Sequence, residues 1–354
     1  MAALPQPEHT TARAIYALHE QRVAAEPPRS YLGWSELGEP CERRLWYGLH
    51  WAGREAIGGQ LARLFDTGHR EETRVLDELK ALGYEVFDRD PATGGQFAVE
   101  SHGGHLRGHL DAVVRGLPEA PKTWHLFDVK TIKAKKFDEL LKKGLRAMYP
   151  KYYAQGQGYM GHQGLERAAF LFACKDDDRI HLERFEFDDA EFKKLEQKAL
   201  RIIDASEPPQ RLSEDPAWFE CKFCPFHALC HGETLPAVNC RTCAHATADT
   251  QRSNGCWTCT AGTDRALVTL PLHHQRLAHD CHRFIPALLV NVAEPFDSDG
   301  DSVTYRTAAG ATFVNGDRPG FSSAEISAGG IAAVTDLITR KLVEQFPTAK
   351  VTAA

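Results

Sequence analysis

The chain reads as an α/β protein, a mixed sheet flanked by helices. Three observations predict this. The apolar positions 61, 64, 65, 75, 76, 79 and 82 recur at a helical period. Residues 84–88, 105–115 and 124–132 read as strands, separated by turn formers at Gly94-Gly95, Gly103-Gly104 and Pro118 to Pro121. Helices at 135–146 and 150–163 then precede a strand pair at 168–174 and 181–187. Strands and helices in alternation build a sheet covered by helices.

The remaining elements follow in chain order. Residues 1–30 read as a helix and a polar link through Glu26-Pro27-Pro28. Residues 31–50 hold Trp34-Ser35-Glu36-Leu37 and Cys41-Glu42-Arg43-Arg44-Leu45-Trp46-Tyr47. Gly83 ends the long helix. A charged hairpin, Lys175-Asp176-Asp177-Asp178, joins the strand pair. A helix at 189–205 and a Pro-rich loop from Glu207 to Pro216 lead into a cysteine-rich region. The tail predicts a hairpin at 303–314 and a helix near 329–346.

A length of 354 residues allows two or three domains. We expect three: residues 1–235, a cysteine-rich module at 236–290, and a small α/β extension at 291–354. Hydrophobic residues at 43% and charged residues at 25% suit an ordinary globular protein rather than a disordered one. No apolar run is long enough to span a bilayer, so no membrane partner is expected. Met1 to Glu20 lacks the apolar stretch of a signal peptide. A cytoplasmic location follows, and there ten cysteines point to metal binding rather than disulfides. The net charge of −6 excludes a uniformly basic nucleic-acid binder. The local balance differs: Lys122 to Lys151 carries nine Lys or Arg against three acids, a basic patch suited to a phosphate backbone.

The acids beside that patch are the core of the functional reading. Asp111 closes Gly108-His109-Leu110-Asp111, and Asp128-Val129-Lys130 lies in the next apolar run. Side chains at i and i+2 of a strand share a face, so Asp128 and Lys130 address one site. Carboxylates and a carbonyl suit Mg²⁺ or Mn²⁺. Such a cation supports phosphodiester hydrolysis, with a lysine to orient the water. Glu72 and His69 fall one turn apart on the long helix, and either could add a ligand. A carboxylate on an apolar stripe is costly unless paired or metal-bound. Gln155 and Tyr159, at i and i+4, share a helix face and can hold a phosphate or orient the lysine. Cys174 reads as a core thiol, and His102, His105 and His109 are not taken as metal ligands.

The order Gly68-x-x-x-Glu72, Gly108-x-x-Asp111, Asp128-x-Lys130, Gln155-x-x-x-Tyr159 resembles the PD-(D/E)XK nucleases, and within them the RecB-like exonucleases. The resemblance covers roughly residues 30–235 and implies a restriction-endonuclease-like core. It implies that Asp111, Asp128 and the Val129 carbonyl bind Mg²⁺ or Mn²⁺, with Glu72 or His69 as a further ligand. Lys130 would activate the water, and Gln155 and Tyr159 belong to the RecB-type motif.

The cysteines extend the resemblance. Cys221, Cys224 and Cys230 follow the core, and Cys41 precedes it. This resembles the iron–sulfur exonucleases, CRISPR-associated, phage-type and AddB-like, in which a [4Fe–4S] cluster clips the ends of the nuclease domain together. Zn²⁺ could occupy the same four thiolates. Cys240-x-x-Cys243 and Cys256-x-x-Cys259, twelve residues apart, read as a second site for Zn²⁺. By likeness to phage-type nucleases, Cys281 could replace Cys256 as the fourth ligand. The expected function is a metal-dependent DNA exonuclease acting on single strands or free ends, in phage or mobile-element recombination, repair or processing. A recombination or CRISPR-type protein partner fits that setting. The alternatives are a catalytically silent nucleic-acid-binding or assembly protein and a structure-specific endonuclease.

Overall fold

The computed structural model describes residues 10–54, 56–261, 266–308, 310–330, 346 and 351–352. The chain divides into two compact units, each built from separate segments. Residues 1–28, 56–99 and 108–195 form the first, and 29–55, 100–107 and 196–354 the second. Position 235 lies inside the second unit. No helix among the described residues is long and apolar enough to cross a membrane.

The first unit is a five-stranded mixed sheet with helices. Its spatial order is Glu85–Phe87, Ala112–Arg115, His125–Ile132, Arg167–Cys174, Ile180–Glu186. His125–Ile132 runs parallel to Arg167–Cys174, and the other neighbours are antiparallel. A parallel pair needs a long crossover. Here it is three helices, Ala134–Lys143, Leu145–Met148 and Pro150–Gln163. Alternation on the strands builds one apolar layer. Val75, Leu76 and Leu79 of the helix Gly59–Ala81 pack with Ala112, Val114, Phe127, Val129, Ala169 and Leu171.

That helix departs from its expected apolar stripe. Val75, Leu76 and Leu79 are buried, but Leu61, Leu64 and Phe65 are 40%, 39% and 48% exposed, and Leu82 past its end is 67% exposed. Near its start the buried positions are Gly59 and Ala62. A Cβ on Gly59 would lie 2.2 Å from the Tyr16 carbonyl oxygen, so the helix Thr11–Ala25 crosses there at backbone distance. Small residues, not the large apolar ones, make that contact. The Glu20 carboxylate also accepts from the Gly59 N–H at 2.7 Å, satisfying a free donor of the first turn.

The expected strand at 105–115 is two strands, Leu106–His109 and Ala112–Arg115, broken at Leu110-Asp111. The break lets the Leu110 N–H reach Phe97 O and the Asp111 carboxylate reach the Val129 N–H.

The second unit includes small antiparallel sheets in its cysteine-rich and C-terminal stretches. Trp257–Cys259 lies between Ala246–Ala248 and Val268–Leu270. Val303–Arg306 pairs antiparallel with Thr312–Asn315, in agreement with the expected hairpin. Phe284, Leu289, Val303, Tyr305, Phe313, Phe321 and Ile326 form its core. A short helix, Ser323–Gly329, carries a reciprocal cap between Ser322 and Glu325. The helix expected near 329–346 falls almost wholly outside the described residues.

The segment around Cys41 is tied to later chain by backbone-directed bonds. Arg43 donates to Pro209 O, 166 positions away, and Trp46 Nε1 donates to Ala205 O, 159 positions away. Lys198 donates to Leu37 O and Glu39 O.

Candidate active site and cysteine-lined cavities

Asp128 sits in the middle of the central strand and is 1% exposed. Its Oδ1 is 2.6 Å from Lys130 Nζ. Apart from that ion pair, neither carboxylate oxygen has a hydrogen-bond partner among the described residues. A buried carboxylate left this open is costly unless a cation or proton completes it. Asp111 enters from the strand break, its Oδ2 accepting from the Val129 N–H at 3.2 Å. Burial raises both carboxyls, Asp111 to about 6 and Asp128 to about 7, with the Lys130 ammonium opposing the rise. Burial alone would lower Lys130, but the Asp128 and Asp111 charges outweigh it and raise it.

Glu72 is half-buried on the helix Gly59–Ala81, and His69, one turn earlier, is exposed. Burial raises the Glu72 carboxyl, the charge of His69 lowers it, Asp128 raises it and Lys130 lowers it. It therefore feels the same site. Gln155 and Tyr159 are buried on the helix Pro150–Gln163, and Gln155 Nε2 donates to Tyr159 Oη at 3.3 Å. Burial raises the Tyr159 phenol to about 12, so it stays protonated as a donor.

Sequence reasoning missed Tyr152. Its ring centroid lies 5.0 Å from Lys130 Nζ. It stands three residues before Gln155, a spacing that was available as a signal.

Among the described residues, no three His, Cys, Asp or Glu side chains are gathered into a ready metal-holding group. The carboxylate pair nevertheless fits Mg²⁺ or Mn²⁺. Mg²⁺ keeps several waters and needs only one or two carboxylates, and Asp128 Oδ2 has no partner among the described residues.

Cys41, Cys221, Cys224 and Cys230 line one cavity, with Arg43, Arg44, Tyr47 and Arg211 around them. Burial raises the Cys221 and Cys224 thiols, and the neighbouring cysteines add to it. Cys240, Cys243, Cys259 and Cys281 line a second cavity, with His274, His279 and His282. Burial pushes Cys240 up to about 12 and Cys243 up to about 11, with nearby thiols contributing. The Arg283 N–H points at Cys243 Sγ and the Ala261 N–H at Cys259 Sγ, both at 3.4 Å. Cys256 does not line this cavity; its Sγ donates to Ser253 O. Between Cys240 and Cys243, Arg241 is fully buried. Its guanidinium lies 3.8 Å from the Trp51 ring centroid and donates to Leu49 O and Gln275 Oε1.

The sequence profile of the PD-(D/E)XK nuclease superfamily matches residues 7–231. The chain belongs to this superfamily. All the candidate carboxylates, Lys130, Gln155 and Tyr159 lie within the matched stretch. No curated protein sequence matches the chain. Among solved structures it is similar to SSO0001 at 17% identity and a TM-score of 0.39, covering 62% of this chain and 95% of that one. It is similar to LHK-Exo, an alkaline exonuclease from Laribacter hongkongensis, at 15% identity and 0.33, covering 54% and 90%. It is also similar to a phage-related exonuclease from Haemophilus somnus 129PT at 12% and 0.35, covering 49% and 91%. Likenesses of this degree say nothing of this chain's substrate. PD-(D/E)XK nucleases generally use Mg²⁺ or Mn²⁺.

Proposed function

We propose that this chain is a metal-dependent exonuclease that hydrolyses DNA phosphodiesters from free ends. One observation carries the reading: in a PD-(D/E)XK chain, Asp128 is buried beside Asp111, with Oδ1 paired to Lys130 and Oδ2 left open. Asp111, Asp128 and the Val129 carbonyl would hold Mg²⁺ or Mn²⁺, with Glu72 or His69 as a further ligand from the helix. That cation supplies phosphoryl polarisation and a more acidic water. Lys130 orients the water and balances the carboxylate charge. Gln155 and Tyr159 hold the phosphate side of the site. The basic stretch from Lys122 to Lys151 holds the strand. Its setting is DNA recombination, repair or processing in a bacterial or phage-infected cytoplasm, with a recombination or CRISPR-type protein partner.

Two further groups are proposed at the cysteine-lined cavities. Cys41, Cys221, Cys224 and Cys230 would hold a [4Fe–4S] cluster that clips the chain before the core to the chain after it. Cys240, Cys243, Cys259 and Cys281 would hold Zn²⁺ in a module within 236–290.

Digestion of end-labelled linear and circular DNA with Mg²⁺ or Mn²⁺ tests the activity. Loss of linear DNA alone supports the exonuclease. Cut circles mean an endonuclease. Neither substrate cut means a binding or assembly protein.

A further inference from the structure

Lys130 has a long side chain with many rotamers, yet its ammonium must face the carboxylates to act. Asp128 holds it from one side at 2.6 Å. On the other sides it meets aromatic rings, Tyr152 at 5.0 Å and Phe170 at 5.9 Å from the centroids. Tyr152 is not a free ring. It stacks on Tyr149 at 5.1 Å and 26°, and Tyr149 stacks on Phe172 at 5.8 Å and 21°. Phe172 is the residue paired with Lys130 across the parallel strands. The aromatic ladder therefore starts and ends beside the same lysine.

The sequence explains why the ladder is rigid. Tyr149 is the residue before Pro150, which opens the helix Pro150–Gln163. Proline at the first helical position fixes the chain's approach to the helix, and it restricts the residue before it. Tyr152 is three residues later, on the face that Tyr149 overhangs. One turn further along, Gln155 and Tyr159 complete the same side of the helix.

We propose that Tyr152 is a positioning residue for Lys130: its ring, held by Tyr149 and Phe172, walls the ammonium into place beside Asp128. This rests on the nuclease reading above. The attraction is between a cation and a ring face, so the ring matters and the phenol does not. Tyr152 acts through Lys130 and makes no demand on DNA or metal affinity.

The test compares Tyr152→Phe and Tyr152→Leu in the full chain on linear DNA. Tyr152→Phe should keep kcat within about twofold, because its ring still attracts the ammonium. Tyr152→Leu should lower kcat about tenfold or more, with KM and Mn²⁺ affinity unchanged, because the wall is lost but not the ligands. A trifluorinated phenylalanine at 152 keeps the ring's shape and weakens its negative face; it should fall with the leucine variant, which serves if leucine disturbs folding. Unchanged kcat in the leucine and fluorinated variants overturns the proposal. So does a phenylalanine variant as slow as leucine, or a rise in KM alone, which would place Tyr152 on the DNA. A wild-type protein that cuts no DNA removes the nuclease reading and this proposal with it. An active wild type with an unaffected leucine variant removes this proposal only.

Discussion

Gly108 and Tyr159 touch so closely that no side chain fits at position 108: a Cβ there would lie 2.4 Å from Tyr159 Cε1. The glycine three residues before Asp111 is thus required by the tyrosine four residues after Gln155. Two short motifs, distant in sequence, are one packing unit. Tyr159 is only 2% exposed and has little room to yield. Gly108→Ala should displace the ring, loosen its bond to Gln155 and cost about 1–3 kcal/mol. Urea unfolding should show a lower midpoint, and cleavage should fall with it. Wild-type stability and rate in this variant would mean that the two motifs are independent.

Lys130 gives the sharpest test of the chemistry. Lys130→Ala should reduce cleavage roughly 10²–10⁴-fold, the usual worth of a positioned proton-handling group. Asp111→Ala and Asp128→Ala should abolish it and also weaken Mn²⁺ binding. The lysine variant should still bind Mn²⁺, as read by calorimetry. Near-normal turnover without Lys130 would contradict the assigned site.

Acidity should act through the carboxylate pair. Asp111 and Asp128 have folded values of about 6 and about 7, above the ordinary 3.8. The folded state therefore holds these protons more tightly than the unfolded chain does. The stability this adds is full below about pH 4 and is lost as pH rises through 6 and 7. A divalent cation takes the place of the protons, so it should restore most where they have left. Melting curves with Mn²⁺ against chelator should differ more at pH 8 than at pH 6. An equal or larger difference at pH 6 would show that these carboxylates do not bind the cation.

The cysteines separate by direction. Cys281 faces the cavity of Cys240, Cys243 and Cys259, and Cys256 does not. Cys281→Ser should lower zinc to well under one ion per chain, whereas Cys256→Ser should leave it, both measured by elemental analysis. The protein purified without oxygen should be brown, and Cys41→Ser should lose its iron and destabilise the fold. A colourless protein with two zinc ions and no iron would replace the cluster with a second zinc.

The strands at 125–132, 167–174 and 180–186 and the sharing of one face by Asp128 and Lys130 were legible from local pattern. The wall around Lys130 was not. Tyr152 and Phe170 meet it from different elements, and strand register is invisible to a local pattern. Leu61, Leu64 and Phe65 have the period of a buried face, but the crossing helix is seated on Gly59. Spacing proposed Cys256, and a likeness to phage-type nucleases proposed Cys281; the choice depends on where a loop aims one bond.

The bonds from Arg43 to Pro209 O and from Trp46 to Ala205 O have a consequence for the nascent chain. A ribosome delivers residues at about 5–20 per second, so Arg43 and Trp46 lack their Pro209 and Ala205 partners for several seconds or more while the five-stranded sheet is made. A cluster assembled on Cys41 must therefore be installed late, after Cys230 has emerged. If the proposed cluster forms on Cys41, iron starvation should spare the sheet's formation and raise proteolysis around Cys41 relative to iron-replete protein.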